Sequence, residues 1–68
     1  MIEKVYTLKH ETTNEIVNIK AIDVDSETHK YNWCFWVIDK ELKLLKAVYS
    51  QRYSIVNIET IKEDERAN

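Results

Sequence analysis

The sequence predicts a small α+β domain, a mainly antiparallel sheet of order β-β-β-α-β with one helix packed on one face. Three observations predict it. The run Tyr31–Asp39, YNWCFWVID, holds both tryptophans and the only phenylalanine, and is largely apolar at alternate positions on both sides. Such a run reads as a strand covered on two faces. After it, Ile38, Leu42, Leu45 and Tyr49 fall at i, i+4, i+7 and i+11, a helical stripe. Finally, Ile55, Val56, Ile58 and Ile61 are β-branched, which favours a closing strand.

The first strand is read from about Ile2 to His10, with Ile2, Tyr6 and Leu8 on one face and Glu3, Val5, Thr7 and Lys9 on the other. The polar run Glu11–Glu15 joins it to an antiparallel second strand, with Asn14 suited to a left-handed turn position. That second strand spans about Ile16 to Val24. Its apolar parity changes near Ala21, from Val17, Ile19 and Ala21 to Ile22 and Val24, which points to a bulge. Asp25–His29 reads as a loop, and the aromatic run follows as strand three.

Residues 40–51 are then expected to be helical. Leu44 and Val48 widen the stripe, Asp39 serves as N-cap, Glu41 sits in the first turn, and Lys43, Lys46 and Arg52 lie toward the C-terminal half. Such a helix would lose about 3 kcal/mol or more on Lys46→Pro. Its connection makes a right-handed βαβ unit with the last strand, Tyr53 to about Ile61. The alternative makes Leu44 to Ser50 another strand, in an all-β five-stranded SH3-like small barrel. Residues 1–62 form a single compact domain on this reading, and 63–68 a charged, frayed tail.

Composition bounds the function. Sixty-eight residues make one domain near the lower limit for independent folding. The single cysteine, Cys34, cannot form an intramolecular disulfide and is read as a small buried side chain in a reducing compartment. Charged residues interrupt the first twenty positions, so no leader peptide is expected, and no segment is long enough to span a membrane. A cytoplasmic location is the simplest expectation. With no glycine, the chain has no glycine-rich phosphate loop. A net charge of −2, well mixed, supplies no general drive toward nucleic acid.

Candidate chemistry is sparse. The run Asp23-Val24-Asp25-Ser26-Glu27 resembles the start of a calcium loop, but it lacks the glycine turn, and Cys34 falls where the closing glutamate belongs. His10, His29 and Cys34 are too few and too scattered for a structural zinc site. No serine, cysteine or carboxylate pair has the surroundings of a nucleophile or general acid, so no enzyme, cofactor or metal is expected.

A short chain has too little material to cover both faces of its aromatic strand. The expected function is therefore protein binding, as a homodimer or with an unidentified host protein, through Tyr31, Trp33, Phe35 and Trp36. In size, in a residue bias typical of AT-rich genomes and in its lack of catalytic motifs, the chain resembles small accessory proteins of phages and mobile elements, many of which bind a host protein. That resemblance rests on general character and implies no site residue. The alternative function is single-stranded nucleic-acid binding, with bases stacked on Tyr31, Trp33 and Phe35 and with Lys30, Lys20 and Lys9 nearby.

Overall fold

The computed structural model describes residues 2–39 and 41–61. The expected tail, 63–68, lies outside them. The chain is all-β: β1 (Lys4–His10), β2 (Ile16–Ala21), β3 (Asp23–Glu27), β4 (Asn32–Ile38), β5 (Leu44–Ser50) and β6 (Tyr53–Thr60). They form two antiparallel three-stranded sheets, of order β2-β1-β6 and β3-β4-β5.

The expected α+β class is thus corrected: no helix occurs among the described residues. The five-stranded barrel differs too, since six strands form two sheets. Leu44–Ser50 pairs with β4 along its full length, from Ile38↔Leu44 to Asn32↔Ser50, so β4 and β5 are hairpin neighbours and no crossover exists. The physical reason is local propensity overridden by pairing. As a helix, this segment would leave one edge of the aromatic strand without backbone partners. As a strand, it pairs that edge and turns Ala47 and Tyr49 toward the core. Asp39 caps, but it caps a turn. Its Oδ1 accepts from the Glu41 and Lys43 N–H groups, both at 2.9 Å, and the Asp39 N–H donates to the Lys43 carbonyl at 3.0 Å.

The polar run after β1 is the turn its composition suggests, with Asn14 at φ 63°. The parity change near Ala21 coincides with a bend at Ile22 that carries the chain from one sheet to the other. Asp23 is opposite Trp36, and the Ile22 N–H also donates to the Trp36 carbonyl at 2.8 Å, so two residues face one. The segment from Asp23 to Glu27, read partly as loop, is strand β3.

The sheets close on a small core of Tyr6, Leu8, Ile19, Ala21 and Phe35. Phe35 has no exposed surface. It lies 5.3 Å from the Tyr6 ring and 6.1 Å from Tyr49, and the aromatic contacts continue through Tyr53 to His10. The Trp33 indole N–H donates to the Tyr53 carbonyl at 2.8 Å, tying the sheets together.

The Tyr53 hydroxyl donates to Glu15 Oε1 at 2.9 Å. That bond, and then burial, push the phenol above its ordinary value of 10.0. The folded state therefore holds this proton more tightly than the unfolded chain does. Its contribution is complete below about pH 10 and is lost as pH rises through the raised folded value. Tyr6, pushed up by burial and then by Asp23, acts in the same direction. Tyr53→Phe is expected to make the fall in melting temperature above pH 10 shallower, by a margin limited by Tyr6. An unchanged slope would remove Tyr53 from the cause.

Candidate functional site

The aromatic strand β4 is central in its sheet, and its two faces have different fates. Trp33, Phe35 and Val37 point into the core between the sheets. Asn32, Cys34, Trp36 and Ile38 point outward, beside Asp23, Asp25 and Glu27 of β3 and beside Leu44, Lys46, Val48 and Ser50 of β5. The outer face thus has an acidic margin, a largely apolar centre and a mixed margin on β5.

The four residues expected to bind protein are divided by this arrangement. Phe35 is interior and offers nothing to a partner. Trp33 is half-buried on the inner face. Trp36 is half-buried on the outer face, its indole N–H donating to Asp25 Oδ2 at 2.8 Å. Tyr31 is 72% exposed, at the turn before β4. The stacking platform of Tyr31, Trp33 and Phe35 is not assembled either, because Phe35 presents no ring face to a base. Lys9 and Lys20 lie on the outer face of the other sheet, away from it.

Cys34 is also on the outer face of β4, yet only 2% exposed. Burial first, and then the neighbouring Glu27 carboxylate, push its thiol up. This is the surrounding of a packed thiol and not of a nucleophile. A shallow, open depression of about 450 Å³ is lined by Tyr31, Ser50, Gln51 and Arg52. Its one cation, Arg52, is paired with Glu11 at 3.1 Å. Among the described residues no three His, Cys, Asp or Glu side chains converge as metal ligands. No helix among them is long and apolar enough to cross a membrane.

The surface that stands out was hidden in the expected helix. Among the described residues nine large apolar side chains are exposed, and four of them, Leu42, Leu44, Leu45 and Val48, fall within residues 42–48. Leu42 is 83% exposed and sits at φ 63°, in the left-handed region where a bulky side chain is disfavoured. Tyr31, at φ 55°, repeats the anomaly at the other end of β4. The signal available in sequence was the β-forming pair Val48-Tyr49 and the polar break at Asp39–Lys43, which fits a hairpin loop as well as a helix start. No protein-family model, curated protein or solved structure matches this chain.

Proposed function

We propose that this chain is a non-catalytic protein-binding module whose contact surface is β5 together with the outer face of the β3-β4-β5 sheet. The single observation that carries the reading is the cluster of exposed apolar side chains at Leu42, Leu44, Leu45 and Val48. Leu44 and Val48 share the outer face with Trp36 and Ile38, Leu45 lies at the same strand edge on the other face, and the patch lies on a short chain with few residues to spare for its own core. Each large side chain covered by a partner contributes about 1.5–3 kcal/mol before association costs. Leu42 and Tyr31 occupy strained turn positions while pointing apolar surface at solvent, a local rule broken at a place that suits contact. Asp23, Asp25 and Glu27 border the patch and favour an approaching surface with basic character.

The test is affinity capture from a lysate of the source organism with the wild type and with a Leu44→Lys/Val48→Lys double variant. Both positions are exposed, so the variant keeps its fold, which circular dichroism checks. Retention of the captured protein is expected to fall by about tenfold or more, the loss of two buried aliphatic contacts. Equal retention by both proteins would place the contact elsewhere.

A further inference from the structure

We infer that the occupant of β5 is a second copy of this chain, joined edge to edge through β5 in one defined register. The inference rests on the reading of β5 as the contact strand and adds the partner and the geometry.

Among the described residues nothing pairs with the outer edge of β5. An open edge is a template for another strand, and proteins usually blunt it with charge, bulges or short length. Among the described residues the other outer strands are shorter or carry a bulge. β3 is five residues long with three acids, Asp23, Asp25 and Glu27. β6 carries a bulge against β1, where the register jumps from Thr7↔Asn57 to Leu8↔Ile55. β2 places Asn18 and Lys20 between its apolar positions and ends at the Ile22 bend. β5 is seven residues, LLKAVYS, with one charge and no register shift against β4.

Backbone bonding decides which residues serve that edge. The Asp39 N–H donates to the Lys43 carbonyl, and the Gln51 N–H donates to the Tyr31 carbonyl at 2.9 Å. Both pairs continue the β4–β5 register. Bonded and non-bonded pairs alternate in an antiparallel ladder. Leu45, Ala47 and Tyr49 therefore bond to β4, and Leu44, Lys46, Val48 and Ser50 turn their N–H and C=O groups to the free edge.

A two-fold axis through Ala47, normal to the sheet, then pairs Leu44 with the partner's Ser50 and Lys46 with the partner's Val48. All seven residues are used, every edge-facing residue meets another edge-facing residue, and the core faces of both copies stay on one side. The two sheets become one of six strands. Leu45 packs beside the partner's Tyr49 across the inner face. Sliding the register by two residues toward the start of β5 sets Lys46 against the partner's Lys46, a like-charge pair that the Ala47-centred register avoids. The edge is thus complementary to itself, as an isologous contact requires.

Light scattering over a concentration series tests this. The wild type is expected to rise from the mass of one chain toward that of two. Val48→Glu places a carboxylate opposite the partner's Lys46 twice, and should tighten the dimer by about tenfold; Val48→Lys should weaken it by about tenfold. Adding Lys46→Glu to Val48→Lys should restore association. Amide exchange at Lys46 and Val48 should slow as the dimer forms. Equal weakening by Val48→Glu and Val48→Lys would overturn the register. A wild type that stays at one chain mass would overturn the second copy, and if the Leu44→Lys/Val48→Lys variant still loses a captured protein, the surface itself stands. A wild-type dimer left intact by that variant would overturn both readings.

Discussion

Phe35→Ala is expected to lower the unfolding free energy by about 3–5 kcal/mol, the range for emptying a buried aromatic site. Phe35 has no exposed surface and touches ring systems from both sheets, Tyr6 and Tyr49. The buried cluster around it holds few other residues, so little remains to close the cavity. A domain of this size has only a few kcal/mol of stability to lose. Most molecules of the variant should therefore be unfolded at 25 °C, with urea denaturation and near-ultraviolet dichroism as the measurements. A variant within about 1 kcal/mol of wild type would mean that Phe35 does not hold the sheets together. Trp36→Ala provides the contrast: Trp36 is half-buried on the outer face, and its loss should cost less.

The second large effect distinguishes two adjacent positions in β5. Ala47→Pro should destabilise the fold by about 3 kcal/mol, because it removes a ladder donor to β4 and strands the carbonyl of Phe35 in the interior. Lys46→Pro should cost far less, because the Lys46 N–H faces the free edge and edge strands tolerate proline there. A helix over 40–51 would suffer comparably at both positions. Thermal unfolding of the two variants at low concentration checks the difference. Similar losses would mean that β5 does not present alternate residues to its edge. At high concentration Lys46→Pro should also abolish association, since the edge loses a donor and gains a ring on each copy.

The residues explain how far the sequence could be read. β1, β4 and β6 were legible because their apolar alternation or β-branched content has one interpretation at that length. The Ala21 parity change was legible because a bend between sheets must switch which side faces inward. Residues 40–51 were misread because Ile38, Leu42, Leu45 and Tyr49 satisfy the helical period, while the alternating Leu45, Ala47, Tyr49 against Leu44, Lys46, Val48 satisfies the strand period equally. Asp39 did not discriminate, since a carboxylate caps backbone N–H groups in a helix start and in a hairpin turn alike. The site was only partly legible for the same reason. The aromatic residues were easy to notice, but Phe35 is interior, and the exposed apolar cluster lay in the segment assigned to a covering helix.

Composition and alternation by themselves determined that this short chain is built around a two-faced aromatic strand, with a single cysteine and no glycine-rich loop. Only the tertiary structure decided which face of that strand is enclosed, and that residues 44–50 pair with it as a strand whose outer edge is open among the described residues. The physical reason is that side-chain period is a local property, readable residue by residue. Backbone pairing and burial depend on what lies across the sheet, and no single stretch of chain records that.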